Sequence, residues 1–319
     1  MKQTALMKYI FAVLILVSLS YDAYCLDKIK VLRPLLKSDK RTQHKDEVIY
    51  RALEITRSEF GPFTFETIDV DMTPGRAFAS MKTGELINTY VAPGNQLWDQ
   101  STIPIKIPIR KGLLSYRLLL INKADLSKFE NVKTLDDLNN LTAGLQTNWA
   151  TTKVFNEANI NMTVSHTFEG LFLMLEKQRF NYIPRAIYEV FDELDNRKSQ
   201  LKNIIVEPNL ALHIPMTTFV YVSKSFPEIA KRIETGLQKM VSNGELHAIL
   251  NKYYAEDIKR ANLGSRRIIE IENPYFGDEN QDIMQDNNLW HQQLTHKEKS
   301  SSVEKVKLNS MMEIMPLNR

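Results

Sequence analysis

The feature that most constrains this chain is the order of its first patterns. "IKVLRPLL" (29–36) alternates as a strand does, and "DEVIYRALEITRSEF" (46–60) follows it. In the latter, Val48, Ala52 and Ile55, with Ile49 and Leu53 beside them, recur at helical spacing. Gly61-Pro62 stops that helix, and "FTFETIDV" (63–70) alternates with period two. Thr73 and Pro74 read as the cap and first-turn residue of a second helix, with Gly84 near its end. "INTYVAPG" (87–94) is a third strand ending in a turn. A β-α-β-α-β order predicts a parallel sheet covered by helices, hence an α/β fold.

A second cycle follows an extended crossover. In "STIPIKIPIRKGLLSYRLLLINK", Pro104 and Pro108 keep the first half out of a helix, and "YRLLLIN" (116–122) is an apolar strand. Thr134 with Asp137 forms a capping-box-like start. "AGLQTNWATTKVFNEANI" reads as strand, loop and helix, and Phe168, Leu171, Phe172 and Leu175 share one helical face. The heptapeptide "RFNYIPR" (179–185) then reads as a turn before a helix over 187–194. "MTTFVYVSK" (216–224) is a strand. Ser225 and Glu228 propose a capping box, with Pro227 in the first turn. Phe226, Ile229, Ile233, Leu237 and Met240 form the apolar stripe of that helix, which Asn243-Gly244 ends. Two α/β cycles predict two lobes with a cleft between them, helix N-termini pointing in, and closure by a hinge.

The N-terminus carries Lys2 and Lys8 and then an apolar run from Tyr9 to Leu19. That run is short of the ~20 residues of a membrane span. It reads as a secretory signal over residues 1–25, with cleavage after Ala23 or Cys25; the alternative is an uncleaved anchor. Cys25 is the only cysteine, so a chain cut after it has no thiol, disulfide or cysteine metal site. Tyr24 argues against lipid attachment at Cys25. A net charge of +3 spread along 319 residues shows no basic patch, which excludes an ordinary nucleic-acid binder.

Three blocks, "IPIRKGLLSYRLLLIN", "FEGLFLML…RFNYIPRAIYEV" and "FPEIAKRIETGLQKMVSNGELHAIL", occur in that order. Together with the leader they resemble the type II periplasmic solute-binding proteins. The likeness is to the family 3 class that serves polar amino acid ABC transporters, and within it to a gammaproteobacterial subgroup of transporter substrate-binding domain proteins. The resemblance spans residues 27–275. It implies two α/β lobes, each with a mixed sheet, joined by two crossover strands. The expected division is 26–115 with 216–275 as the first lobe, 116–215 as the second, and 276–319 as a polar, poorly ordered tail. The family's clamp for a ligand carboxylate is a Thr-x-x-Arg-like element before the crossover, and here no arginine precedes Arg110 in "WDQSTIPIKIPIRKG". The family's second-lobe aspartate is matched by a stretch offering Asn181, Pro184 and Arg185.

Arg185 therefore has two readings. Facing the cleft, it would pair with a carboxylate or phosphate. On the surface, it would pair with Glu189 one turn on. Arg179 suits a helix C-terminus. Trp98, Trp149 and Tyr90 could stack on a flat ligand or pack in a core. Asn148, Thr151 and Thr152 could cap a helix or bind an anion, and Thr73 and Arg76 carry the same ambiguity. Arg110, Lys111 and Gly112 lie where the lobes should meet, as an anion attractor or as solvated charge.

Catalysis finds little in the sequence. The six histidines lack metal-ligand spacing, and no G-x-S-x-G, P-loop or G-x-G-x-x-G is present. The residues after 277 are too short and polar for a transglycosylase domain. The expectation is a periplasmic, monomeric, non-enzymatic binder without cofactor or metal. It would take a small polar, anionic solute and dock on a permease or sensor. A ligand-free interaction or sensory role, and an unrecognised hydrolase, are the other readings.

Overall fold

The computed structural model describes residues 26–33, 39–277 and 280–291. The expected leader, Cys25 and the end of the expected tail lie outside the described residues. The strands are β1 (Asp27–Arg33), β2 (Phe63–Asp69), β3 (Thr89–Pro93), β4 (Ile103–Ile105), β5 (Tyr116–Asn122), β6 (Ala143–Gln146), β7 (Met162–Ser165), β8 (Tyr182–Ala186), β9 (Ile204–His213), β10 (Thr218–Val222) and β11 (Arg267–Glu270). The α-helices of the first half are α1 (Lys40–Glu54), α2 (Arg57–Phe60), α3 (Pro74–Thr83), α4 (Gln96–Ser101), α5 (Leu126–Glu130) and α6 (Leu135–Leu138). Those of the second half are α7 (Ala150–Glu157), α8 (Phe168–Glu176), α9 (Ile187–Asp195), α10 (Pro227–Ser242), α11 (Glu245–Ala261) and α12 (Gln281–Gln285).

Two sheets result, with orders β2-β1-β3-β10-β4 and β11-β9-β5-β8-β6-β7. In the first, β1 runs parallel to β2 and β3, while β10 enters antiparallel between β3 and β4. In the second, β5 is antiparallel to both β8 and β9. Each sheet is mixed, and the two-lobed α/β architecture expected from the sequence is the one found.

Local chemistry sets several boundaries. Helix α1 begins at Lys40, earlier than its apolar stripe suggested, because the Asp39 carboxylate accepts from Arg41 N and caps it. The Thr134–Asp137 capping box forms, but the expected Ser225–Glu228 box does not: Phe226 is the N-cap of α10 and offers no side-chain bond. Helix α10 lies tightly on α1, and a Cβ at Gly236 would collide with the Ala52 backbone. The heptapeptide is not a plain turn, since Tyr182–Ala186 is β8. Pro184 is tolerated inside it because β6 pairs with β8 only at Ala143↔Tyr182, leaving one flank of the proline without a ladder.

The cores follow the sheets. Ile29, Val31, Ile49, Leu53, Val220 and Ile233 bury in the first lobe, and Leu118, Leu120, Phe155, Phe172, Ile183 and Leu212 in the second. Side chains like these contribute about 1.5–3 kcal/mol each when fully buried. Helix α11 belongs to both: Leu246 and Ile249 join the first core, Leu250, Tyr254 and Ile258 the second.

The connectivity departs from expectation. The two crossovers near 106–115 and 214–217 are present, but α11 then carries the chain back to the second lobe, where β11 pairs with β9. Residues 216–275 therefore do not all return to the first lobe. Residues 280–291, expected as loose tail, instead pack on the first lobe, with Ile283 and Leu289 against its cores and Trp290 buried.

Candidate functional site

The crossovers form the floor between the lobes. On the first, Ile107 and Ile109 pack into the first core, and Leu113 and Leu114 into the second. Arg110 stands at the handover. The crossovers are tied together: Ile109 N donates to Thr218 O at 3.3 Å, Ser115 Oγ to Met216 O at 2.7 Å, and Ile214 N to Ser115 O at 2.8 Å.

Above this floor α1 of the first lobe meets α9 of the second through charge. Arg185 on β8 holds Glu193 with two bonds, Nε to Oε2 and Nη2 to Oε1, both 2.6 Å. Its Nη2 also lies 3.1 Å from Glu189. Arg41 reaches across from α1 to Glu189 at 3.3 Å and to Glu193 at 3.5 Å, while holding Asp39 at 2.7 Å. Arg117 on β5 adds a longer contact to Glu189 at 3.7 Å. Three arginines thus face three carboxylates in one network. Lys40 extends it, bonding Asp192 on α9 at 2.8 Å and Asp257 on α11 at 3.3 Å. The Arg185 guanidinium also lies over the Trp149 ring at 4.2 Å and near Phe168 at 5.6 Å. A desolvated cation on an indole face gains about 2 kcal/mol.

This geometry decides the charge states. Burial pushes the Glu189 carboxyl up, but Arg185, Arg41 and Arg117 together hold it down at about 2. Burial raises Glu193. His44 on α1 is fully buried against Tyr253 and Tyr254, with neither ring nitrogen bonded among the described residues. Burial first, and the Arg110 charge second, hold its imidazole well below the usual histidine range.

Arg110 is the exception in this cluster. It is 5% exposed, with its guanidinium over the Tyr188 ring at 4.9 Å. Nη2 donates to Arg41 O at 3.0 Å and Nη1 to Thr218 Oγ1 at 3.5 Å; Nε has no partner among the described residues. No carboxylate of the described residues forms an ion pair with it. Its hydrogen-bond acceptors are neutral, and Asp39, the carboxylate that feels its charge, is already paired with Arg41, so this buried cation has not recovered its hydration.

The sequence candidates therefore divide. Arg185, Trp149 and Arg110 come together between the lobes. Arg185 combines parts of its two readings: it pairs with Glu189, yet it is buried, and its charge is taken up internally. Thr151 is buried in α7 close by in sequence, and Asn148 is exposed and does not cap that helix, whose N-cap is Trp149 without a side-chain bond. Trp98 is a core residue, stacked on Tyr90 at 5.3 Å and packed with Phe78 and Tyr221. Thr73 caps α3 by accepting from Arg76 N, and both are exposed. Lys111 and Gly112 face the C-terminal segment: Lys111 Nζ donates to Asn288 O at 2.6 Å. Sequence reasoning missed Arg41, Arg117, Glu193, Tyr188 and His44. One signal was available for Glu193: an acid one turn after Glu189, on a helix that buries Ile187, Tyr188, Val190 and Phe191.

No family model matches the sequence, and no curated protein matches it. Solved structures match in fold. An ancestral arginine-binding protein bound to glutamine aligns with a TM-score of 0.52 at 12% identity, over 72% of this chain and 99% of that chain. An amino acid ABC transporter substrate-binding protein from Streptococcus pneumoniae, bound to L-arginine, aligns at 0.51 and 14%, over 72% of this chain and 94% of that one. A double mutant of the Bordetella pertussis BvgS VFT2 domain aligns at 0.52 and 15%, over 71% of this chain and 93% of that one. This chain has the two-lobed periplasmic-binding fold. Among its described residues no helix is long and apolar enough to cross a membrane.

Proposed function

We propose that the protein is an extracytoplasmic receptor for a small, carboxylate-bearing polar solute. It would capture the solute between its lobes and present the closed form to a membrane permease or sensor. The observation that carries this reading is Arg110. The neighbouring arginines balance the neighbouring carboxylates, while Arg110 is buried at the lobe junction without an ion pair. A ligand carboxylate would supply the missing charge, and a buried pair of that kind carries 2–5 kcal/mol, roughly, of binding. Arg185 is a poorer anchor than its sequence position promised, because Glu193 and Glu189 already satisfy it. The proteins of like fold support solute capture, since two of them are described as bound to glutamine and to L-arginine. Export by the leader, a monomeric state and the absence of catalysis belong to this proposal.

A thermal-shift screen of residues 26–319 tests it, with amino acids, di- and tricarboxylates, sugar acids, phosphorylated compounds and short peptides. Ligand at about 100 times its Kd stabilises by about 2.7 kcal/mol. The expected result is a saturable rise with one carboxylate-bearing class, lost in Arg110→Met. A shift that survives Arg110→Met overturns the anchor and keeps solute capture. No shift across the panel overturns solute capture itself.

One observation favours a second reading. Ion pairs of Arg41 with Glu189 and Glu193, which Arg185 also holds, already bridge α1 and α9. A receptor that holds itself shut would serve as a sensory or interaction partner without a small ligand. A histidine kinase sensor domain with similarity to periplasmic binding proteins shares the fold, at a TM-score of 0.51 and 13% identity.

A further inference from the structure

The last described segment touches both lobes. Beyond β11, Ile271 N donates to His213 O at 2.9 Å, and Asn273 Nδ2 to Pro215 O at 2.7 Å, on the second crossover. Phe276 is buried. The chain then reaches the first lobe. Lys106 Nζ donates to Asn280 Oδ1 at 3.4 Å, Ile283 packs on the core that holds Trp98, and Leu289 on the core that holds Ile49. The end is fastened to the first crossover itself. Lys111 Nζ donates to Asn288 O at 2.6 Å, and His291 N to Lys111 O at 3.0 Å. Trp290 is 2% exposed and lies against Gly112, where any Cβ would collide with the indole. Lys111 and Gly112 both take positive φ, at 43° and 82°, so the crossover bends where the tryptophan seats.

We infer that residues 271–277 and 280–291 form a strap that holds the lobes together across the hinge, and that its undocking permits opening. A hinge between two lobes swings about the few residues that absorb the backbone change. Here one of those stretches, 110–112, is covered by Trp290 and tied by Lys111. The strap's two ends are anchored on opposite lobes, so wide separation is expected to pull Trp290 and Asn288 from their seats. The device does not depend on which solute enters the cleft, or on whether one does.

Distances between spin labels test it. The labels go on Glu66→Cys in the first lobe and Ser127→Cys in the second, in residues 26–319, which contain no native cysteine. Both sites are exposed. The parent is expected to give one narrow, short distance without ligand. Trp290→Ala is expected to add a longer-distance population, and Lys111→Met a smaller one. Where Trp290→Ala fails to fold, Lys111→Met carries the comparison, since it removes the tie to Asn288 and the charge that faces Asp286 and leaves Trp290 in place. Distributions that superimpose on the parent's in the folded variants overturn the strap.

Discussion

Arg185 shows what one residue does in this protein. Its bonds to Glu193 are buried on both sides, so Arg185→Ala leaves a buried carboxylate with only the longer Arg41 contact at 3.5 Å. The expected loss is about 3–5 kcal/mol of folding stability, read from urea unfolding. Replacing both partners, Arg185→Met with Glu193→Leu, is expected to return most of it, because apolar side chains need no pairing. A double variant as unstable as the single one contradicts this. His44 makes a second case. Its folded pKa is depressed, so below about pH 6.5 the unfolded chain takes a proton that the folded one refuses. Stability is lost as pH falls through that range. His44→Leu is expected to narrow the gap between urea midpoints at pH 7 and pH 5; an unchanged gap contradicts it. Much of this site was hidden in the sequence. Arg185, Trp149 and Arg110 are visible because they interrupt apolar patterns. Arg41 is not: it sits on the polar side of a helix start beside Asp39, and only the approach of the second lobe brings it Glu189 and Glu193.

At the level of elements, helices and strands were legible where a single period ran long enough. Helix α10 shows its stripe from Ile229 to Met240, and β2 alternates from Phe63 to Glu66. Strand β8 was concealed by Pro184, which reads as a turn until its neighbours show a flank with no ladder to serve. Strand β9 was concealed by Pro208 and Asn209 inside its ten residues, and β11 is too short to show a period. Helix packing makes its own prediction. An alanine inside a helix normally gains ~1 kcal/mol over glycine. At Gly236 the added methyl would strike the Ala52 backbone, and overpacking of that kind costs about 1–3 kcal/mol. Gly236→Ala is therefore expected to lower the melting temperature, and a rise would show that α10 can slide on α1.

For the whole molecule, two lobes were legible because β-α-β order and an extended crossover carry strong local signals. The number of passages between them was not. The sequence suggests two, whereas α11 adds a third, and residues 280–291 lie back on the first lobe after β11 has paired in the second. Nothing local marks a helix that will serve two cores. The interleaving also fixes when each lobe can be finished. In the first sheet β4 lies at the edge with β10 as its neighbour, and β10 follows five strands of the second sheet, β5 to β9, in the chain. A nascent chain therefore emerges with β4 unmatched until residue 222 is free, and the second sheet lacks its edge until residue 270. Synthesis ordinarily lets an N-terminal domain fold while the rest is still being made. Here neither lobe has that head start. Pairings so distant form late and slowly, so both sheets stay open to rearrangement until residues 222 and 270 have emerged and paired.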